Sequence, residues 1–199
     1  MARLQTLLAG ILGLSISTGS QAAVTSPASP REVEVQGSPN NDHAHHDYTP
    51  INKRTAQEVI TKLNLIPNVE KGYYIETFRD ADNVTVAGDR SASTAIYYLL
   101  EGHEGNSHWH RVDAVEVWHY YAGAPLTLSL ARDDGSPVRE VTLGPDVFAG
   151  QQPQVAIAKW EWQRARSCGD WTLVGTTVAP GFDPNGFEMA EPGWNPNAA

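Results

Sequence analysis

The sequence predicts an all-β fold, either a sandwich or a jelly-roll barrel, with one short helix in front of it. The 199-residue chain has 17 glycines and 13 prolines, a turn-rich composition that fits a sheet protein better than a helix bundle. From Tyr73 onward, short apolar runs and period-two alternation recur between turn signals, as in sandwiches and jelly rolls. The predicted strands are residues 73–78, 94–100, 115–121, 126–130, 138–143, 155–158 and 171–178.

A capping box marks the start of the one predicted helix. Thr55 stands three residues before Glu58, so each side chain can satisfy a backbone amide of the other residue. An apolar stripe follows, formed by Val59, Ile60 and Leu63. Pro67 is expected to stop the helix.

The first 23 residues have the features of a secretory signal peptide. Arg3 precedes an apolar stretch over residues 4–16, and small residues close the segment at 20–23. The stretch is too short and too interrupted to span a bilayer stably, so we expect cleavage near Ala22 or Ala23; the alternative is an uncleaved anchor. The protein is then secreted or lies in the lumen of the secretory pathway, free of the membrane, and Asn83 becomes a usable glycosylation site in Asn83-Val84-Thr85.

Composition divides the remainder of the chain. Residues 24–50 are rich in Ser, Pro, Asn and Asp and are predicted to form a flexible arm. Within the arm, the His-rich residues 42–47 either grip a divalent metal or form a solvated segment. The folded domain is expected to span residues 51–191, and residues 192–199 are expected to form a loose tail.

Charge and cysteine content exclude several classes of function. Lys and Arg total 14 against 23 Asp and Glu, a formal net charge of -9, so the chain offers no basic face for nucleic acid. The single Cys168 cannot form an intramolecular disulfide, and no Cys/His zinc spacing occurs.

The candidate site centres on two histidines and one carboxylate. His108 and His110 share parity, so on a strand both imidazoles point to one face. A turn near Asp113 would bring Glu116 back on the neighbouring strand, facing the same cavity. These three side chains predict a site for Zn, Mn, Fe or Ni with open positions. The alternative is that the histidines only line a pocket or a dimer contact.

The spacing of Gly102, His108, His110, Glu116 and Gly123 resembles the first cupin signature, with one additional residue before Glu116. Further strings extend the resemblance: residues 93–100, 110–112, 116–123, 143–146, 150–154, 162–166, 169–175 and 178–182. Together they resemble a small family of single-domain cupins from bacteria and fungi, of unknown function, whose fold has been compared with sugar-nucleotide epimerases and metal cupins. The resemblance covers about residues 66–190. It implies a cupin double-stranded β-helix, which is a jelly-roll barrel, and a homodimer.

Three positions depart from the family pattern. The family regularly has a histidine at the position of His110, whereas the position of His108 varies. At the second cupin signature, Glu161 stands where the family commonly has a small residue; Gln163, as is usual in the family, stands where that signature should supply a metal-binding histidine, and glutamine is a weak metal ligand. Ile75 replaces an arginine that is common in the family, so any contact which that arginine makes with an anionic substrate is lost here.

Aromatic side chains surround the candidate site in the sequence. Trp118 and Tyr120 share parity with Glu116, and Trp160 and Trp162 flank the position of Gln163. Such residues are either ordinary core or the walls of a pocket for an apolar or ring-shaped ligand. The predicted substrate-binding residues are Trp118, Tyr120, Trp160, Trp162, Gln163, Tyr74 and Glu76.

Three functions remain open from the sequence. The first is an enzyme acting on a small apolar or aromatic molecule, with His110 as general acid/base and Glu116 orienting it or relaying its proton. Isomerase, cyclase or lyase chemistry in natural-product tailoring fits the resemblance and the signal peptide together. The second is a metal-dependent oxygenase or lyase, and the third is a non-catalytic binding protein.

Overall fold

Two antiparallel sheets face each other in the computed structural model, which describes residues 47–84 and 89–197. The predicted signal peptide, the arm before residue 47 and its His-rich segment therefore lie outside the described residues, apart from Asp47. In chain order the elements are α1 (Ala56–Leu63), β1 (Ile66–Pro67), β2 (Tyr73–Arg79), β3 (Asn83–Val84), β4 (Arg90–Ser91), β5 (Thr94–Glu101), β6 (His110–Val112), β7 (Val115–Gly123), β8 (Leu126–Ala131), β9 (Arg139–Leu143), β10 (Gln154–Ile157), β11 (Trp162–Ser167), β12 (Trp171–Ala179) and β13 (Phe187–Met189).

The strand order is that of a jelly roll. One sheet has six strands in the order β1-β2-β5-β12-β7-β10, the other has five in the order β13-β6-β11-β8-β9, and β3 and β4 form a separate hairpin. Neighbouring strands in the sheets pair antiparallel. The all-β prediction with one short helix is thus confirmed.

A core of aliphatic and aromatic side chains fills the space between the sheets at one end. Its largest fully buried members come from both sheets: Tyr98, Leu100, Leu126, Leu128, Leu130, Leu143, Ile157 and Val174. The alternation predicted for β8 holds, since Leu126, Leu128 and Leu130 all face this core.

The helix α1 covers part of the outer face of the six-stranded sheet. Its predicted capping box is present: Thr55 Oγ1 accepts from the Glu58 amide, and the Glu58 carboxylate accepts from the Thr55 amide. Val59 and Ile60 pack against Leu99 in the sheet. Pro67 does not end the helix; Asn64 does, because its left-handed conformation (φ 55°) stops the turn, and Pro67 begins the sheet instead.

The C-terminal residues contradict the expectation of a loose tail as far as residue 197. The amide of Asn197 donates to Asp133 Oδ1 over 2.7 Å, and its side-chain amide donates to the Ser136 carbonyl over 2.7 Å. The Trp194 ring lies against Trp162 with 4.5 Å between the ring centroids. The tail is thus held by an aromatic contact with Trp162 on β11 and by hydrogen bonds between Asn197 and the loop that connects β8 and β9.

The remaining outer face of the six-stranded sheet carries aromatic side chains that α1 does not cover. Tyr121 is 49% exposed, and its ring meets Tyr97 edge-on at 5.9 Å. Only glycine fits at position 175 beneath it, because an added Cβ would come within 2.3 Å of the Tyr121 hydroxyl oxygen. In the part of the chain that the structure describes, no helix has the length and apolarity needed to cross a bilayer.

Candidate functional site

A cavity of about 390 Å³ opens between the two sheets at the end away from the leucine core. This volume lies in the range of about 300–1,000 Å³ that small-molecule sites occupy. Strands β2, β5, β7 and β12 form one wall and β6 the other, so side chains of one parity from each strand point inward. Its apolar lining consists of Ile96, Val112, Trp118, Val178, Phe182 and Phe187.

His110 is buried at the wall formed by β6, with 3% of its surface exposed. Its Nδ1 lies 3.1 Å from the carbonyl oxygen of His108. Since a carbonyl oxygen only accepts hydrogen bonds, Nδ1 carries a hydrogen and the neutral ring presents the lone pair of Nε2. The reactive nitrogen is therefore fixed by the backbone two residues earlier in the chain.

Glu70 faces that nitrogen across 3.5 Å, measured from Oε2 to His110 Nε2. Burial raises the pKa of the Glu70 carboxyl, the nearby Glu116 carboxylate raises it further, and His110 opposes this shift. The raised pKa favours the protonated form of Glu70, which can donate toward His110 Nε2. Buried His110 and half-buried Glu70 together form an acid–base pair that can both give and take a proton.

Glu116 is held by a second chain of hydrogen bonds. Gln163 Nε2 donates to Glu116 Oε2 over 2.6 Å, and Trp118 Nε1 donates to Gln163 Oε1 over 2.9 Å. The indole can only donate and the ionised carboxylate can only accept, so the two contacts fix the orientation of the Gln163 amide. Gln163 is completely buried, which makes it a support behind the wall instead of a cavity-lining residue.

The predicted metal set is not assembled by this geometry. His108 does not line the cavity; its backbone carbonyl, and not its ring, meets His110. Nε2 of His110 faces Glu70, and Glu116 is bonded to Gln163, whose amide nitrogen is a donor and offers no lone pair. Among the described residues, ligand atoms of three such side chains come within 4.8 Å of one another only in the surface group of Glu101, His103 and Glu104. The residues of the cavity thus do not fit a cupin metal centre.

An ion pair lies at one side of the cavity on β2. The Arg79 guanidinium donates to both carboxylate oxygens of Glu76, over 2.9 and 2.6 Å. Arg79 also donates to the Phe182 carbonyl over 3.3 Å. Tyr74, one strand repeat away, lines the cavity beside them. Tyr74 and Glu76, both predicted to bind substrate, thus line the cavity.

The segment between β12 and β13 closes the cavity with aromatic rings. Phe187 lies 5.7 Å from the His110 ring, and Phe182 meets Phe187 edge-on at 5.8 Å. Arg90 anchors this segment, because it donates to the Gly181 carbonyl and pairs with Asp113 over 2.7 Å. The Arg90–Asp113 ion pair thus fixes the segment that carries the rings beside His110.

Three predicted substrate-binding aromatics lie elsewhere. Trp162 is next to Gln163 on β11, and since Gln163 points inward Trp162 must point outward, where Arg111 lies 4.4 Å above its ring. Trp160 occupies a left-handed turn (φ 62°) and is 41% exposed. Tyr120 keeps the inward parity but packs against the leucine core, with its hydroxyl donating to the Gly123 carbonyl over 2.6 Å.

His110, Glu116 and Trp118 all line the cavity, as their strand parity predicts. Glu70 and Phe187 were missed because they belong to other parts of the chain and carry no motif. In the structure, Lys71 and Gly72 adopt positive φ values of 83° and 67° directly after Glu70, and residues 68–70 before this turn line the cavity.

The sequence matches the family described as "Cupin superfamily (DUF985)" over residues 57–190. A hypothetical protein from Leishmania major is 32% identical with a TM-score of 0.63, and the match covers 68% of this chain and 86% of that one. A structurally solved protein from Shewanella oneidensis is likewise 32% identical with a TM-score of 0.63, covering 69% of this chain and 85% of its own. No curated protein matches the sequence. With both its fold and most of its length accounted for, the chain belongs to the DUF985 family of the cupin superfamily.

Proposed function

We propose that this protein is an acid–base enzyme that moves a proton within a small, largely apolar molecule, in reactions of the isomerase, cyclase or lyase type. The observation that carries the proposal is the His110–Glu70 pair, whose Nε2 and Oε2 atoms lie 3.5 Å apart beside an apolar cavity that both side chains line. A setting in natural-product tailoring within the secretory pathway fits the signal peptide expected at residues 1–23.

The proposed step needs no external reactant. His110 Nε2 takes a proton from a carbon of the substrate while the Glu70 carboxyl gives its proton to a carbonyl oxygen of the same molecule. The electron pair of the broken C–H bond forms a C=C bond, and the π pair of the C=O bond forms the new O–H bond. Glu70 then takes the oxygen proton back while His110 returns its proton to a different carbon, which completes an isomerisation with no net change in composition.

Glu116 has a separate role in this proposal. Its position is fixed by the Gln163 amide at 2.6 Å, so it orients the substrate and does not swing toward the reacting carbon. Trp118 and Phe187 keep water away from the pair, which strengthens the electrostatic interactions inside the cavity. A carboxylate held in this way lowers the entropy lost when the substrate is aligned.

Proton exchange tests the proposal without knowledge of the natural substrate. A panel of one-ring and two-ring ketones is incubated in D2O with the protein, and deuterium incorporation is followed by mass spectrometry. We expect exchange above the buffer rate with at least one ketone, and loss of about 100-fold or more of that rate in His110→Ala. His119→Ala is the matched control, because His119 lies on β7 with the opposite parity and contacts Thr177 outside the cavity. Equal exchange in wild type and His110→Ala would contradict the proposal.

Two other functions correspond to other outcomes. Saturable binding of these ketones with no exchange above the buffer rate would identify a non-catalytic binding protein. Metal bound near one ion per chain and lost in His110→Ala would instead support the metal-dependent oxygenase or lyase. The side chains of the cavity argue against metal binding, because Gln163 stands where a histidine would be a ligand and its amide donates a hydrogen bond to Glu116.

A further inference from the structure

The cavity holds more negative than positive formal charge. Three carboxylates line it, those of Glu70, Glu76 and Glu116, and Arg79 is the guanidinium among its lining residues. A buried charge that lacks a partner is costly. The partner of each carboxylate therefore indicates what the cavity still requires from a ligand.

Two of the three carboxylates are compensated by the protein itself. Glu76 receives two hydrogen bonds from Arg79, over 2.9 and 2.6 Å, in the bidentate geometry typical of strong pairs. Glu70 Oε2 lies 3.5 Å from His110 Nε2, and the raised pKa of its carboxyl favours the neutral form. Neither group needs a counter-charge from a ligand.

Glu116 is the exception. Its Oε2 accepts from the neutral Gln163 amide, and no hydrogen bond to Oε1 occurs among residues 47–84 and 89–197. In the same residues, none of the ion pairs within 4.0 Å includes Glu116. The residue is only 7% exposed, and its carboxylate lines the cavity with one free acceptor.

The walls around this acceptor are apolar. Trp118 lies two residues after Glu116 on β7, Val178 pairs with Glu116 from β12, and Phe187 lies across the cavity beside His110. Aromatic and aliphatic walls with a few polar groups bind a ring-containing body and leave orientation to the polar groups. The cavity volume of about 390 Å³ suits one or two rings.

We infer that the cavity selects a ring-containing ligand with a hydrogen-bond-donating head group, preferably a protonated amine, and rejects carboxylates. The head group donates to Glu116 Oε1 while the ring lies against Trp118. This inference deepens the proposed function, because it names the chemical class of the molecule presented to His110, but it concerns binding and needs no turnover. Arg79 does not provide a binding site for an anionic ligand, since its guanidinium is paired with the Glu76 carboxylate.

Three probes with the same ring test the inference: benzylamine, benzyl alcohol and benzoate, each titrated by calorimetry at neutral pH into the full chain. We expect benzylamine to bind about tenfold or more tightly than benzyl alcohol, because a charge-assisted hydrogen bond exceeds a neutral one. Benzoate is expected to show no saturable binding, since its charge would oppose that of Glu116. The order in the wild-type protein tests the inference whether or not any variant folds.

Glu116→Gln identifies the residue responsible. The substituted amide can still accept from Gln163 through its oxygen, so the support of the wall is kept. We expect the preference for benzylamine over benzyl alcohol to fall below about twofold, whereas Glu191→Gln, which changes an exposed carboxylate outside the cavity, retains the full preference.

Binding and catalysis are separated by His110→Asn. If the inference and the proposed function are both correct, this variant keeps the preference for the amine and loses deuterium exchange. If only the proposed function is wrong, the preference persists in both proteins and neither exchanges protons. Benzoate binding as tightly as benzylamine, equal affinity for all three probes, or absence of benzylamine binding up to millimolar concentration would each overturn the inference.

Discussion

Gln163→Leu tests whether the chain of hydrogen bonds behind the cavity wall is a major contributor to stability. The leucine side chain is similar in volume but cannot bond to Glu116 or Trp118. The Trp118 N–H would then be buried without an acceptor, at a cost of about 1–3 kcal/mol, and the carboxylate would lose a charge-assisted bond worth about 1.5–3 kcal/mol. Water in the cavity can reach Glu116 and reduce the second cost, so we expect a net destabilisation of about 3 kcal/mol.

Urea unfolding monitored by tryptophan fluorescence measures this loss, and thermal unfolding gives a second value. For a domain of this size, about 3 kcal/mol corresponds to a fall in Tm of about 6–12 °C. The matched control is Gln154→Leu, on the exposed side of β10, which should stay within about 0.5 kcal/mol of wild type. If Gln163→Leu is also within about 0.5 kcal/mol, the argument that these buried polar groups depend on Gln163 is refuted.

Four further predictions follow from other features. Glu70→Gln should flatten the pH dependence of the free energy of unfolding. Because the pKa of the Glu70 carboxyl is raised in the folded protein, this group stabilises the folded state below its ordinary pKa of 4.5, and the stabilisation is lost as pH rises through the pKa of the folded state. Equal slopes of stability against pH for the variant and the wild type, measured by urea titrations, would count against this. Trp194→Ala should cost about 2 kcal/mol in urea unfolding, because an aromatic contact with Trp162 at 4.5 Å is lost, without changing benzylamine affinity; no loss would mean that the tail is not held as described. Expression in a eukaryotic secretory pathway should give a glycosidase-sensitive mass increase that Asn83→Gln abolishes, since Asn83 is exposed on β3; an unmodified secreted protein would contradict this. Light scattering should show a homodimer that Tyr121→Glu converts to a monomer, because the substitution places a charge on the uncovered outer face of the six-stranded sheet; a wild-type monomer at high concentration would disprove the pairing.

Alternation in the sequence was sufficient to predict strands with one apolar face. The strand predicted at residues 126–130 is found as β8 over Leu126–Ala131. It was insufficient for β11 over Trp162–Ser167, whose alternate residues are arginines. Arg164 lies 4.6 Å above the Trp109 ring, so its stem and guanidinium cover apolar surface that a polar sequence does not suggest.

The candidate site could be predicted only where a short connection determines it. Parity placed His110, Glu116 and Trp118 at the cavity because a short turn joins β6 to β7, which form opposite walls of the cavity in the two sheets. Glu70 reaches His110 from 40 residues earlier, as their numbers in the chain show, and Phe187 reaches it from the last strand. The periodicity of a single segment carries no information about such long-range contacts. The position of Glu70 beside His110 could therefore be seen only in the structure.

The place of β12 in the six-stranded sheet bears on how the chain is made. This strand, residues 171–179, lies between β5 and β7, which precede it in the chain by about 50 residues or more. During synthesis, β5 and β7 therefore leave the ribosome with open edges and no strand between them, and sheet edges of this kind pair readily with other chains. The six-stranded sheet cannot close until β12 has emerged, so chaperones that bind exposed strands act mainly before that point, and cavity ligands can assist folding only after it.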